Sequence, residues 1–128
     1  MNKPTDKPSD HIKIEFNKIG ILLVNLGTPE ATDYFSMRRY LKEFLSDRRV
    51  VDVFKPLWWV ILNGPILTFR PSKSGKAYDR IWDKTKGSPL RYITENQTKK
   101  LKSEFRKYNQ IKIEYAMRYG NPSIKLQL

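Results

Sequence analysis

The residues best suited to bind a ligand stand at the ends of two apolar runs. The first run covers 19–26, and the second covers 111–117 and is followed by Arg118 and Tyr119. Arginine can pair with an anion, and a tyrosine hydroxyl can donate and accept hydrogen bonds. If both runs are parallel strands, their carboxyl ends lie at one edge of a sheet, where open α/β folds bind ligands. We therefore expect Leu26, Arg118 and Tyr119 to face one crevice.

Nucleophilic and metal-based chemistry has few candidates in this sequence. There is no cysteine and one histidine, His11. These residues cannot form a disulfide, a thiolate zinc site, a cysteine-ligated iron–sulfur cluster, a catalytic triad or a multi-histidine metal site. Gly27 follows an apolar run, as in a phosphate-binding loop, but no second glycine or Gly-Lys-Ser/Thr comes after it. The composition therefore argues against a self-contained catalyst.

The net charge indicates an anionic partner without choosing one. The 128 residues include 25 Lys and Arg against 13 Asp and Glu, which gives a charge of +12. Nucleic acid, a membrane surface or an acidic substrate would each suit this excess. The basic clusters at 99–102 and 106–107 fall on one side of a predicted helix, where a solvated face and a nucleic-acid patch are the alternatives.

The elements that must position these residues alternate between strands and helices, which indicates an α/β fold. The continuous apolar run 19–26 is typical of a parallel strand that is buried on both faces. Helical spacing over 33–46 predicts a helix with Asp33 as its cap. A further helix is predicted from about Ser72 to Trp82.

The clearest helix begins after Ser88, which can cap it, and Pro89 suits its first position. The residues that recur at helical intervals are Leu90, Ile93, Gln97, Leu101, Phe105 and Tyr108. The segment 111–117 alternates early and then turns apolar, which predicts the second strand.

Two further segments bear on location. Residues 1–17 are polar, are predicted to form a flexible tail and lack the apolar core of a secretory signal, so we expect a cytoplasmic protein. The uncharged stretch 56–69 is interrupted at Gly64-Pro65, where we expect a helix break, and is shorter than the roughly 20 residues of a spanning helix. Its tryptophans suit a membrane interface, and a buried core helix is the alternative.

Five segments, in this order, resemble the ferrochelatase family: NLGTPE, FLSDRRVVD, ILTFRPSKSGKAYDRIW, GSPL and AMRYGNP. The resemblance covers 18–128 and corresponds to the N-terminal portion of a ferrochelatase of the protoporphyrin type. It implies an incomplete flavodoxin-like, chelatase-type α/β domain, with parallel strands near 19–26 and 111–117 and several helices between them. The enzyme is a lyase that inserts ferrous iron into protoporphyrin IX in haem biosynthesis.

The resemblance also implies roles for individual residues. Leu26 stands where the family faces the porphyrin plane, and members that use coproporphyrin carry a tyrosine there, so leucine implies protoporphyrin IX. Arg70 matches an arginine near the pocket mouth that pairs with a propionate. From the residues alone, core packing would explain Leu26 and a surface position would explain Arg70.

The remaining matches are Tyr78, Ser88, Arg118 and Tyr119. The first two match pocket residues that hydrogen-bond the substrate, although Tyr78 would also suit a core and Ser88 a helix cap. Arg118 and Tyr119 match the inner pocket wall, on the side where metal is thought to arrive, and a charged residue at a strand end needs a partner. Some relatives have arginine where Ala77 stands.

No catalytic residue, metal ligand or cofactor is expected in this stretch, because the family's catalytic histidine and glutamate lie further along. Ferrous iron and protoporphyrin IX would be substrates of the full enzyme, and the chain alone is expected to be inactive. The resemblance implies peripheral contact with the inner face of the cytoplasmic membrane, and no nucleic-acid partner. The alternative, motivated by charge alone, is a small basic RNA- or ribosome-binding module. The membrane lip would consist of Trp58, Trp59, Ile61, Leu62, Ile66 and Leu67.

Overall fold

A computed structural model of the protein describes residues 17–128. The predicted tail over 1–17, including His11, therefore lies outside the described residues apart from its last position. The described part contains two strands, β1 (Ile19–Gly27) and β2 (Ile111–Tyr119), together with one π-helical turn (Leu62–Ile66). The α-helices are α1 (Tyr34–Leu45), α2 (Lys55–Ile61), α3 (Leu67–Asp79), α4 (Pro89–Glu104) and α5 (Ile124–Gln127).

The two strands pair in parallel, which confirms the predicted α/β architecture. The register runs from Ile19 opposite Ile111 to Gly27 opposite Tyr119. The prediction that β1 is buried on both faces is wrong for the described residues, because Leu26 is 54% exposed. Side chains of a strand alternate between the two faces of the sheet. Helix α4 covers the face on which Asn25 lies, where the Asn25 side chain donates to α4, and Leu26 points to the opposite face.

Helix α1 begins at the predicted cap and supplies three of the five residues of the buried cluster. Asp33 Oδ1 accepts hydrogen bonds from the backbone amides of Phe35 and Ser36, both at 3.0 Å, which satisfies two donors of the first turn. A hydrogen bond from the Ser36 side chain, followed by these backbone bonds, holds the pKa of Asp33 below its ordinary value. The buried cluster consists of Met37, Leu41 and Leu45 from α1 with Leu62 and Leu67.

The stretch 55–79 is helical almost throughout, so the predicted break at Gly64-Pro65 is wrong. A π-helical turn accommodates both residues, and α3 begins at Leu67 rather than near Ser72. Pro71 lies inside α3 and has no N–H to donate to the Leu67 carbonyl four residues earlier. The Tyr34 hydroxyl and Arg38 Nε on α1 donate to that carbonyl instead, at 3.1 and 3.3 Å.

The apolar stretch divides between core and surface. Leu62 and Leu67 are 3% and 0% exposed, so these members of the predicted lip cannot contact a membrane. Trp58 and Ile66 pack against the same core, and Trp58 Nε1 donates to the Leu45 carbonyl at 2.8 Å. By contrast, Trp59 is largely exposed. Among residues 17–128, no helix is long and apolar enough to cross a membrane.

Helix α4 turns two threonines toward the sheet. Thr94 and Thr98 are buried, whereas Ile93 and Gln97 are exposed. Each buried threonine hydroxyl donates to a carbonyl one turn earlier in the helix, at 2.6 and 2.8 Å. These bonds satisfy the hydroxyls, so small polar residues can lie against the strands.

Candidate functional site at the ends of the strands

The ends of β1 and β2 meet through their glycines. Gly27 has φ of +121° and lies so close to the Tyr119 backbone that a Cβ would overlap its carbonyl oxygen. Gly120 has φ of +83°, and a Cβ there would lie 2.7 Å from the Thr28 carbonyl oxygen. Only glycine adopts these backbone angles at little cost. The two segments that follow the strands are therefore in direct contact.

Ser88 is tied to the end of β1 through its side chain. The Thr28 hydroxyl donates to Ser88 Oγ at 2.7 Å, and both residues are buried. Ser88 is the N-cap residue of α4, but its side chain caps no backbone amide, so the predicted capping bond is absent. The hydroxyl of Ser88 instead fixes the start of α4 to the strand end.

Tyr78 lies in an aromatic cluster next to the strand ends. Its ring packs edge-on against Tyr40 and Trp82, with centroids 6.4 and 6.5 Å apart. The Tyr40 hydroxyl donates to the Gly27 carbonyl at 3.2 Å, and burial together with Tyr78 raises the pKa of Tyr40 above its ordinary value. Tyr78 is half-buried and packs against the core. This packing matches the alternative interpretation from sequence, in which Tyr78 is a core residue.

Arg118 and Tyr119 share a carboxylate that sequence reasoning missed. Asp47 Oδ2 accepts hydrogen bonds from Arg118 Nη2 at 2.9 Å and from the Tyr119 hydroxyl at 2.8 Å. Arg118 remains exposed, whereas Tyr119 is buried. The expectation that the charged residue at the strand end needs a partner is confirmed. Helical spacing gave no signal for this partner, because Asp47 lies in the turn after α1, which ends at Leu45.

Arg70 belongs to a different surface. It lines an open cleft of about 690 Å³ on α3, together with Phe69, Lys73 and Ala77. The cleft combines two cationic side chains with an aromatic ring that is exposed. Such a surface can hold an anionic group beside an apolar one. The structure therefore connects the strand ends with Ser88 and Tyr78, and places Arg70 on a separate surface.

An ion pair fastens α4 to the same edge of the sheet. Arg91 donates to both oxygens of Glu30 at 3.2 and 3.0 Å, and also to the Asn121 carbonyl at 3.1 Å. The hydrogen bond from Arg91 is the main reason that the pKa of Glu30 lies below its ordinary value of 4.5. This clamp joins the segments that follow β1 and β2 to the start of α4.

Glu30→Gln is expected to lower the free energy of unfolding near pH 7 by about 0.5 kcal/mol, a typical value for an exposed pair. Because folding lowers the pKa of Glu30, the contribution is present above pH 4.5 and disappears as the pH falls through the lower folded value. Urea unfolding of the wild-type chain and of Glu30→Gln between pH 7 and 3 measures this difference. The two plots of unfolding free energy against pH should converge in acid. Glu114→Gln, which removes the exposed Lys102–Glu114 pair at 3.1 Å, is the control. A Glu30→Gln deficit that persists unchanged at pH 3 would contradict the assignment.

Within residues 17–128, no three or more His, Cys, Asp or Glu side chains are grouped so that they could hold a metal ion. Fold and site together define an α/β protein whose candidate ligand site lies at the carboxyl ends of two parallel strands. The family model for ferrochelatase matches residues 18–128. The chain belongs to the ferrochelatase family.

Individual relatives agree with this assignment. A protein of Rhizobium johnstonii named ferrochelatase is 50% identical over 119 residues, which cover 92% of this chain and 35% of the relative. Ferrochelatases of Brucella anthropi and Rhizobium etli are 50% and 53% identical, covering 98% and 92% of this chain. The chain spans about a third of the length of these relatives, at 35% to 37%.

Proposed function

We propose that this chain forms one wall of the porphyrin pocket of an enzyme that inserts ferrous iron into protoporphyrin IX. The observation that carries the proposal is the pairing of an exposed leucine with an exposed arginine at adjacent strand ends. Leu26 lies between two register pairs, Asn25–Met117 and Gly27–Tyr119, and therefore beside Arg118. An apolar side chain suits the face of a macrocycle, and a guanidinium suits a polar or anionic edge.

The other matched residues have secondary roles in this proposal. Ser88 and Tyr78 hold the strand ends in place through Thr28 and Tyr40. Arg70 and Lys73, in the cleft on α3, would pair with propionates as the porphyrin approaches. The chain would supply no acid–base group, so we expect it to insert no metal by itself. Turnover of zinc into protoporphyrin by the purified chain would contradict that expectation.

We further propose that the exposed part of the apolar stretch contacts a membrane surface peripherally. Three apolar side chains of α2 support this proposal by their exposure, namely Leu57, Trp59 and Val60. Phe54, which is also exposed, lies immediately before this helix. Basic side chains at Lys55 and on α3 would meet anionic headgroups. The buried residues Leu62 and Leu67 have no part in this contact.

A titration of protoporphyrin IX with this chain, followed at the Soret band at low and moderate salt, tests the pocket. We expect a saturable shift that changes little with salt. Leu26→Glu should weaken binding tenfold or more, about 1.4 kcal/mol, because a carboxylate would be desolvated against the macrocycle. Ile19→Glu, at an equally exposed position of the same strand (54% for both residues), is the matched control and should bind as wild type does.

The same experiment separates the enzyme from the RNA-binding alternative. Binding to phosphates weakens steeply with salt and does not depend on an apolar side chain such as Leu26. Equal losses in the Leu26 and Ile19 variants would show that the shift does not report on the strand ends. Tight, specific RNA binding at physiological salt would overturn the porphyrin proposal.

A further inference from the structure

Three polar side chains, two from α1 and one from the turn after it, form hydrogen bonds with the strand ends. The Tyr40 hydroxyl donates to the Gly27 carbonyl at 3.2 Å, and Glu43 Oε2 accepts from the Gly120 amide at 3.1 Å. Asp47 then accepts from the side chains of Arg118 and Tyr119. Tyr40 and Glu43 are three residues apart and share one side of α1, and Asp47 follows in the turn after the helix ends at Leu45. The last turns of α1 and the turn after it therefore contact both strand ends.

Asp47 is the member of this series that bonds to side chains of the candidate site. Its Oδ1 accepts from the Arg49 amide at 2.9 Å, while Oδ2 accepts the two bonds from β2. The Arg49 bond first, and then the bond from Tyr119, hold the pKa of Asp47 below its ordinary value. The side chain of Asp47 is 17% exposed. Both oxygens of an ionised carboxylate are thus occupied, in a turn fixed by its own backbone bonds.

These bonds fix the orientations of the Arg118 and Tyr119 side chains. The Tyr119 hydroxyl hydrogen is committed to Asp47, so its oxygen is left with acceptor capacity only. The Arg118 guanidinium gives one N–H to Asp47 and lies 5.7 Å from the centre of the Tyr119 ring. Phe44 packs edge-on against that ring at 5.0 Å. Neither side chain can turn without breaking a charge-assisted bond, which is stronger than a neutral one.

We propose that Asp47 is a positioning residue, which fixes Tyr119 and Arg118 and acts through them on ligand binding at the strand ends. The identity of the ligand rests on the porphyrin pocket proposed above, whereas the positioning rests on the hydrogen bonds alone. Asp47 does not itself need to touch the ligand. If Asp47 only stabilised the fold, its replacement would change stability, but the effects of Asp47 and Tyr119 variants on ligand binding would be independent of each other.

A double-mutant cycle on the 128-residue chain tests this, with Asp47→Asn, Tyr119→Phe and the double variant. We expect each single variant to weaken protoporphyrin IX binding about fivefold, and the double variant to be no weaker than Tyr119→Phe alone, since residues in contact are not additive. The Tyr119 ring resonances, assigned by Tyr119→Phe, should shift in Asp47→Asn. Glu114→Gln, near the middle of β2 and paired with Lys102, should change neither readout. Asp47→Glu keeps the charge but moves the carboxylate, and replaces Asp47→Asn if that variant does not fold.

The outcomes separate this inference from the pocket proposal. Effects on binding that multiply in the double variant would overturn the inference, and so would Tyr119 resonances that stay in place in a folded Asp47 variant. If the wild-type chain shows no saturable shift, the porphyrin proposal fails for this chain. The ring resonances still decide in that case whether Asp47 holds Tyr119.

Discussion

Gly27→Ala is expected to destabilise the chain by roughly 3 kcal/mol or more, enough to unfold a domain of ordinary stability. Two costs combine at this position. The backbone has φ of +121°, which an alanine adopts only with strain, and the new Cβ would overlap the carbonyl oxygen of Tyr119. Because that carbonyl belongs to the paired strand, relief requires β1 and β2 to move apart. Urea unfolding followed by circular dichroism measures the loss.

Gly20→Ala is the matched control in the same strand. No heavy atom lies within 4 Å of a Cβ built at Gly20, and its φ is not positive. Alanine reduces the entropy of the unfolded chain at such a position, so we expect unchanged stability or a gain of about 0.5 kcal/mol. Equal losses in both variants would mean that the strand ends do not approach as closely as described.

Leu67→Ala should lower the free energy of unfolding by about 2 to 5 kcal/mol, the range for large-to-small changes in a core. Leu67 is fully buried, and its cluster includes Met37 and Leu41 of α1. Its truncation leaves a cavity at the junction of the π-helical turn and α3, between helices that are tied together by Tyr34. Chemical unfolding reports the change directly.

Leu57→Ala makes the same chemical change on the outer side of the same stretch. Leu57 is 54% exposed, so we expect its loss to alter stability by less than about 0.5 kcal/mol. If the surface of α2 contacts membranes, this variant should instead reduce binding to vesicles that contain anionic lipid. Similar stability losses for Leu57→Ala and Leu67→Ala would show that the helices pack on the opposite side. Unchanged vesicle binding would count against the membrane contact.

Local rules predicted much of the fold correctly. Continuous apolar runs predicted both strands within two residues of their ends, and the sequence order predicted that they are parallel. Asp33 was identified as a cap because its side chain bonds to amides only two and three residues away. The motif segments were sufficient to indicate the family, which the comparison confirms. In each case the information is contained within a short stretch of chain.

The same rules failed where a residue's surroundings come from distant parts of the chain. The break predicted at Gly64-Pro65 does not occur, since a π-helical turn holds both residues and α1 supplies the donors that Pro71 lacks. Ser88 was predicted to cap a helix, but Thr28, sixty positions away, donates to its hydroxyl. No local pattern indicates such a partner.

The sequence by itself thus determined where both strands lie and where α1 and α4 begin, which family the chain resembles, and that β1 and β2 end at a common edge. Only the tertiary structure decided that Leu67 is core while Trp59 is surface, because an uncharged stretch carries no polar face to orient it. Only the tertiary structure brought Asp47 to Arg118 and Tyr119. That contact spans about seventy positions, and it exists because the packing of α1 brings its end to the end of β2.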